Sequence, residues 1–310
     1  MSKSIVTVVG SFAVGMTIRS GKMPVWGETL IGSDFDMGPG GKGSNQAVGT
    51  SRLGTDSYLV GLIGEDKLGD IAVDLYHAEG VNTDYFVRTA DHPTGVGFII
   101  LSETGDNFII LDMGANNLID PAFVDRAEEQ IARSDIVMSV LEIPVPAAAR
   151  AMELGKKHGV RTLLNPAPAA PLPDDMLRHI DILTPNESEL RILLGLAADD
   201  PTPTPELAQR LKARGVQTVI VTMGSRGALI LNGDDEIMVP PVPTQVVDTT
   251  GAGDAFNSGL AVAISEGRDL VEAVRFGNCA GSLACTRLGV IPSLADRATV
   301  DALYQQTYGS

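Results

Sequence analysis

The chain has 310 residues, of which 44% are hydrophobic and 20% charged, and its 39 acidic against 23 basic side chains give a formal net charge of −16. The hydrophobic fraction excludes a disordered chain, and the acidic surplus disfavours nucleic-acid binding, because a duplex is bound by a basic surface. No apolar run approaches the roughly 20 residues of a membrane-spanning helix. We therefore expect one large α/β domain or two small ones, with neither nucleic acid nor membrane as a partner.

The first apolar run, at residues 5–9, is too short for a signal peptide and predicts a first strand. Cys279 and Cys285 lie in a helical pattern and would point to different faces of a helix, so a disulfide between them is excluded. Two unpaired thiols are typical of a reducing compartment, and we expect a cytoplasmic protein.

A unit of helix, glycine and apolar run recurs along the chain. Apolar residues at helical spacing are followed by a glycine that ends the helix, and then by a short β-branched run. The helical segments are residues 67–79, 146–158 and 205–214, and the glycines are Gly80, Gly159 and Gly215. Helices alternating with nearly all-apolar strands predict a three-layer α/β/α fold with a mostly parallel central sheet.

Two stretches interrupt this alternation. Residues 13–38 lack a helical period, and residues 94–112 predict two short strands joined by a polar turn at 103–106. We expect the two stretches to pair as a small β-sheet lid on a body formed by residues 1–12, 39–93 and 113–310. Two ordinary surface hairpins are the alternative.

The segment 248–254 (Asp-Thr-Thr-Gly-Ala-Gly-Asp) stands between a β-branched run and an amphipathic helix. Its glycines, Gly251 and Gly253, let main-chain N–H groups at a helix N-terminus face an anion closely. Donors without formal charge suit a chain of charge −16 that binds a nucleoside triphosphate. Asp254 is placed to accept a proton from an attacking hydroxyl, although it could also be only a favourable acid in the first turn.

Polar side chains follow several other predicted strands. The glycine-rich segment 40–47 precedes a helix, and Lys42 and Asn45 at its start suit hydroxyls and phosphate oxygens, unless the segment is a solvated turn. Glu142 ends an apolar run, at the edge where parallel sheets bind ligands. Asn186 and Glu189 suit a hydrated Mg²⁺, although a helix cap at Asn186 or Ser188 is the alternative.

Together these segments resemble the ribokinase family of carbohydrate kinases over essentially the whole chain. The matching blocks are residues 10–11, 27–29, 40–47, 165–168, 184–187, 222–227 and 248–254. The resemblance implies a ribokinase-like central sheet flanked by helices, with a small β lid that also serves as the interface of a homodimer. It further implies transfer of the γ-phosphoryl group of ATP to the primary hydroxyl of ribose or a closely related sugar.

The resemblance also implies roles for individual residues. Asp254 would be the base, and the N–H groups of Gly251, Ala252 and Gly253 would form the anion hole. The sugar-contacting positions are Gly41, Lys42, Asn45, Glu142 and Asp254. The nucleotide-contacting positions are Asn186, Thr222, Gly224, Ser225, Arg226, Gly227, Gly253 and Asn278, with Glu189 as the acid linked to Mg²⁺. An activating monovalent cation, K⁺, would be held largely through carbonyls by Asp248, Thr250, Ala284, Arg287, Gly289 and Ser293.

One departure from the family pattern concerns the sugar. An Asn and an Asp that grip ring hydroxyls in ribokinases are replaced here by Ala13 and Gly15. Each lost hydrogen bond is worth about 0.5–1.5 kcal/mol. Deoxyribose, a ketose or a nucleoside therefore stand beside ribose as candidate acceptors. A non-catalytic ligand-binding protein on the same fold is the remaining alternative, and the presence of Asp254 argues against it.

Overall fold

The computed structural model describes residues 3–102 and 107–309, so the turn expected at 103–106 lies outside the described residues. The strands are β1 (Ile5–Val9), β2 (Ala13–Ser20), β3 (Ser33–Gly40), β4 (Asp56–Gly64), β5 (Asn82–Thr89), β6 (Gly95–Ser102), β7 (Asn107–Asp112), β8 (Ile136–Val140), β9 (Arg161–Asn165), β10 (Ile182–Leu183), β11 (Thr218–Thr222), β12 (Ala228–Asn232) and β13 (Asp235–Val239). The helices are α1 (Lys42–Arg52), α2 (Lys67–Glu79), α3 (Pro121–Asp125), α4 (Glu128–Ala132), α5 (Val145–Lys157), α6 (Asp174–Leu177), α7 (Glu187–Leu193), α8 (Thr204–Lys212), α9 (Ala252–Ser265), α10 (Leu270–Ala284), α11 (Val290–Ser293) and α12 (Arg297–Tyr308).

Nine of the described strands form one large sheet, in the order β13-β12-β11-β10-β9-β8-β1-β4-β5. The strands from β11 to β5 pair in parallel, and β12 and β13 add an antiparallel hairpin at one edge. The predicted mostly parallel central sheet is thus confirmed. Because parallel strands end at the same edge, the segments that follow β1, β8, β9, β10 and β11 lie side by side there.

Helices cover both faces of the large sheet, as the repeated unit predicts. Neighbouring residues of a strand point to opposite faces, so Val8 joins a core beneath α1, α2, α9, α10 and α12, whereas Val9 joins a second core beneath α3, α5, α7 and α8. The glycines that end the three predicted helices have φ angles of 66° at Gly80, 72° at Gly159 and 120° at Gly215. Each adopts the backbone that favours glycine; α2 ends at residue 79 as predicted, whereas α5 and α8 end one and two residues before the predicted ends.

The two stretches outside the repeated unit form a second, smaller sheet of four described strands, in the order β3-β2-β6-β7. Strand β3 runs to Gly40, two residues beyond the predicted boundary at 38, because Gly40 pairs with Ala13 across the sheet. One side, here called the inner face, carries among others Ala13, Gly15, Gly97, Ile99, Ile109 and Leu111. The other side, here called the outer face, carries Val14 and Met16, which pack against the core, and the more exposed Ile18, Met37, Phe98, Phe108 and Ile110.

Among the described residues no helix has the length and the apolar character needed to cross a bilayer.

Candidate active site

Asp254 lies in the first turn of α9 and is only 4% exposed. The residue before the helix, Gly251, has a φ of 81°, and a Cβ atom there would stand 2.5 Å from Cγ1 of Val290. A Cβ on Gly253, in contrast, would meet no atom of the described chain within 4 Å. The turn therefore leaves open space in front of the helix N-terminus, beside a buried carboxylate.

One of the three N–H groups of the predicted anion hole has a hydrogen-bond partner within the chain. The N–H of Ala252 donates to the carbonyl of Thr249 at 3.2 Å, because the backbone forms a tight turn before α9. Within the described chain, the N–H groups of Gly251 and Gly253 have no hydrogen-bond acceptor. These two groups, at the positive end of the helix dipole, are the donors that remain for an anion.

Two side chains of helix α1 donate hydrogen bonds to the two oxygens of the Asp254 carboxylate. Nδ2 of Asn45 donates to Oδ2 at 2.8 Å, and Nε2 of Gln46 donates to Oδ1 at 3.1 Å. The amide oxygen of Asn45, Oδ1, is buried and has no hydrogen-bond partner among the described residues. A buried acceptor without a donor is costly, so this oxygen fits a hydroxyl of a bound substrate.

Glu142 links three segments at the edge of the large sheet. Its Oε2 accepts from the Ser11 hydroxyl at 2.6 Å and from the main-chain N–H of Lys42 at 2.7 Å. Burial raises the pKa of Glu142, against the lowering effect of these two donors and of the Lys42 ammonium. Ser11 was not predicted as a site residue, although it lies in the first block that carries the resemblance.

The Lys42 ammonium lies in the field of three carboxylates. Burial alone would lower the pKa of Lys42, but the charges of Asp254, Glu142 and Glu189 outweigh it and raise the pKa. None of the three forms an ion pair with Lys42 within the described chain. The ammonium is therefore charged and has no ion-pair partner among the described residues.

Asn186 and Glu189 form a capping box at the start of α7, which is the structural alternative that the sequence left open. Glu189 N–H donates to Oδ1 of Asn186, and Asn186 N–H donates to Oε2 of Glu189, both at 2.8 Å. Among the described residues, no group forms a hydrogen bond with the second carboxylate oxygen of Glu189 or with the side-chain amide nitrogen of Asn186. Burial raises the pKa of Glu189, and the nearby Asp254 adds to this effect.

The predicted nucleotide positions gather beside this helix. Thr222 forms an isolated parallel β-bridge with Asn186 through the main chain. The side chain of Arg226 forms an ion pair with Glu187. Gly227, with a φ of 89°, packs so closely on the 239–241 segment that no side chain fits there. Asn278 reaches the same segment, because its Nδ2 donates to the carbonyl of Pro240 at 3.2 Å.

The predicted cation positions are brought together by two adjoining loops. The Asp248 carboxylate accepts from the N–H and hydroxyl of Thr250, at 2.9 and 2.7 Å, and from the N–H of Gly289 at 3.3 Å. Asp248 thus connects the two loops through its side chain. The remaining positions, Ala284, Arg287 and Ser293, lie along the second loop and its flanking helices.

The described residues contain no cluster of three or more His, Cys, Asp or Glu side chains that could hold a metal ion. Mg²⁺ commonly binds one or two carboxylates together with substrate phosphates and water. The free oxygen of Glu189 fits that mode.

Comparison with known proteins places these observations in context. The model of the pfkB family carbohydrate kinases matches residues 4–297. The chain is 38% identical over 299 residues to a ribokinase of Bacillus subtilis, covering 96% of this chain and 98% of the relative. It is 36% identical over 252 residues to a deoxyribokinase of Salmonella typhi, covering 81% and 82%. Its fold matches the structure of Arabidopsis thaliana ribokinase complexed with ribose and ATP, with a TM-score of 0.91, 34% identity and coverage of 98% and 99%.

Proposed function

The chain belongs to the pfkB family of carbohydrate kinases, and from this premise we propose that it transfers the γ-phosphoryl group of ATP to the primary hydroxyl of ribose or of a closely related sugar. The observation that carries the proposal is the buried Asp254 carboxylate, held by two amides and adjoining the free N–H groups of Gly251 and Gly253. The similarity to ribokinases supports ribose as the acceptor.

In the proposed reaction the sugar hydroxyl gives its proton to Asp254 as its oxygen attacks the γ-phosphorus. The bond from that phosphorus to the β–γ bridging oxygen breaks, and ADP leaves. The N–H groups of Gly251 and Gly253 stabilise the charge on the transferred group, because they are fixed in place before the reaction. Lys42 contributes a positive charge from the sugar side. Mg²⁺, bound with Glu189, would supply neutralisation of the phosphate charge.

The sugar side of the site leaves a second candidate acceptor. Ala13 and Gly15 offer no side-chain hydrogen bond, and they share the inner face with the apolar Ile99 and Leu111. An apolar wall suits an acceptor that lacks a ring hydroxyl. The similarity to a deoxyribokinase supports deoxyribose as this alternative. A ketose or a nucleoside is less favoured, and a non-catalytic binder least, because binding alone needs no buried base.

We also propose that the small sheet acts as a lid and as a dimer interface. The outer face exposes large apolar side chains, with Phe98 at 50% and Ile110 at 58%, and Ile109 at the same edge of the inner face is 50% exposed as well. A contiguous exposed apolar face marks a protein contact, and two copies of the same face can form a symmetric one. A second copy of this chain is therefore the proposed partner.

Two further parts of the proposal concern ions and location. A monovalent cation, K⁺, would bind to carbonyls where Asp248 joins the two loops, and would stiffen the turn that carries Gly251. The free thiols of Cys279 and Cys285 fit a reducing cytoplasm, where ATP is available.

The test measures ADP release from ATP and Mg²⁺ with ribose, deoxyribose, a ketose and a nucleoside in turn. We expect turnover with ribose or deoxyribose, and a fall in kcat of about 10²–10⁴-fold in Asp254→Asn, with ATP binding by calorimetry nearly unchanged. Asp269→Asn is the matched control, because Asp269 caps α10 and asparagine caps as well as aspartate. Full activity in Asp254→Asn, or no turnover with any acceptor, would overturn the proposal.

A further inference from the structure

Four buried polar side chains connect Asp254 to the main chain that precedes it. Gln46, Asn165, Thr184 and Asn257 are each at most 6% exposed and come from four different segments. Asn165 is the last residue of β9, Thr184 follows β10, and Asn257 lies one turn after Gly253 in α9. Burying a polar side chain costs free energy unless it is hydrogen-bonded. The hydrogen-bond partners of these four side chains therefore identify the groups that they hold in place.

The hydrogen bonds form a closed circuit, here called the amide ring. Nε2 of Gln46 donates both to Oδ1 of Asp254, at 3.1 Å, and to Oδ1 of Asn165, at 3.0 Å. Nδ2 of Asn165 donates to the Thr184 carbonyl at 3.2 Å. The Thr184 hydroxyl donates to Oδ1 of Asn257 at 2.6 Å. Nδ2 of Asn257 then donates to the Gly253 carbonyl at 2.8 Å, and Gly253 is bonded covalently to Asp254.

The direction of every donor in the ring is fixed by its neighbours. A reversed Gln46 amide would place its oxygen against two acceptors, the Asp254 carboxylate and the Asn165 carbonyl, which would repel it. Both protons of the Gln46 amide are thereby committed. The Thr184 hydroxyl donates to Oδ1 of Asn257 at 2.6 Å, and its other neighbouring acceptor, the Leu164 carbonyl, lies farther away at 3.4 Å. The Gln46 amide therefore has one favoured orientation in the ring, in which its Oε1 has no hydrogen-bond partner among the described residues.

We propose that Gln46 is a positioning residue for phosphoryl transfer, acting through the amide ring to hold the Asp254 carboxylate and the Gly253 main chain in one fixed relation. The inference rests on the proposed kinase function and adds residues that touch no substrate. The carboxylate receives the hydroxyl proton, and the N–H of Gly253 faces the transferred group. Because the amide ring contacts this carboxylate and the Gly253 main chain, it fixes the distance between the carboxylate that accepts the proton and the N–H that faces the transferred phosphoryl group.

The hydroxyl of Ser258 adds a second connection between helices α1 and α9. It lies within hydrogen-bond distance of the main-chain carbonyls of Gln46 and Asp254, at 3.2 and 2.8 Å. Gly49 faces Ser258 so closely that a side chain would not fit there. Helices α1 and α9 are therefore in direct contact at the point where the ring begins, so a shift of α1 would move the base.

The experiment compares Gln46→Leu with Gln130→Leu, in which an equally buried glutamine remote from the ring is removed. A second pair is Thr184→Val, which keeps the shape but loses the hydroxyl, and Thr184→Ser, which keeps the hydroxyl. We expect Gln46→Leu and Thr184→Val to lower kcat about 10–100-fold with KM for ATP changed less than about threefold. Thr184→Ser and Gln130→Leu should keep kcat near the wild-type value.

A further arm places Gln46→Leu in the Asp254→Asn background, where it should lower kcat no further, because the group it positions is already gone. Additive losses, or losses that disappear when the assay is cooled below each variant's unfolding transition, would overturn the positioning role. If Gln46→Leu does not fold, the Thr184 pair decides by the same criteria. Absence of wild-type turnover with every acceptor would overturn the proposed function itself, and normal wild-type turnover with unaffected variants would overturn only this inference.

Discussion

Replacing Gly253 by alanine is expected to stabilise the fold and to impair phosphoryl transfer at the same time. Gly253 is the second residue of α9, its φ lies outside the left-handed region, and a Cβ there would meet no atom within 4 Å. Alanine is favoured over glycine in a helix by up to about 1 kcal/mol. In a domain of this size that corresponds to a rise in Tm of about 1–3 °C.

The same methyl group should obstruct the reaction. Each Cα–Cβ bond of a helix tilts toward the N-terminus, so the new group would project into the space in front of the free N–H groups. A phosphoryl group kept away from one such donor typically loses about 10²-fold in kcat. We therefore expect kcat/KM to fall about 100-fold in Gly253→Ala, although the free protein melts at a higher temperature.

The assay pairs thermal unfolding with ADP release and uses Gly251→Ala as the contrast. At Gly251 the φ of 81° costs an alanine about 1–2 kcal/mol, and the contact with Val290 adds to this, so that variant should lose both stability and activity. Wild-type activity in Gly253→Ala would refute the location of the anion cradle. A lower Tm in that variant would refute the conclusion that the backbone at position 253 accepts alanine without strain.

Three other outcomes are expected. Gly15→Asp should fold, because a Cβ there meets its nearest atoms at 3.8 Å, and should raise kcat/KM for ribose relative to deoxyribose by about 2–10-fold; an unchanged ratio would contradict the sugar assignment. Burial raises the pKa of Glu189, so the wild type loses stability as pH rises above about 4.5. Glu189→Gln keeps the capping box and should melt above the wild type near pH 8 but not near pH 4, with lower activity at saturating ATP; equal melting at both pH values would contradict the charge argument. Phe98→Lys should yield a monomer by analytical ultracentrifugation, whereas a wild-type monomer would exclude the dimer.

The body of the fold could be predicted because its signals are local. The segment 67–79 has helical spacing and a terminal glycine, and α2 covers the same residues. The order of the strands has no such signal, because it depends on which apolar faces meet after folding. Strands β12 and β13 illustrate this: β12 is nearly all buried, like its parallel neighbours, and only its pairing with β11 shows the antiparallel direction.

The residues of the candidate site likewise divide into those with a local sequence signal and those without one. The polar groups at helix starts and strand ends, among them Lys42, Asn45 and Asp254, could be identified because glycine patterns accompany them. Gln46 could not, since a glutamine in a helix usually faces solvent, and only the packing of α1 on α9 reveals that it is buried. At Asn186 the sequence supported both a ligand and a cap, and the capping box required three-dimensional geometry to be seen.

The small sheet and the large sheet carry different parts of the proposed site, and this separation has a consequence for the evolution of the protein. Under the proposed function, acceptor preference would depend in part on β2, through Ala13 and Gly15, whereas the transfer chemistry would belong to α9 and the segments around it. A substitution on the outlying strand can therefore alter which molecule is modified while every group that handles the triphosphate stays in place. Diversification of substrates within one scaffold then requires few mutations, none of which endangers the step that all descendants share.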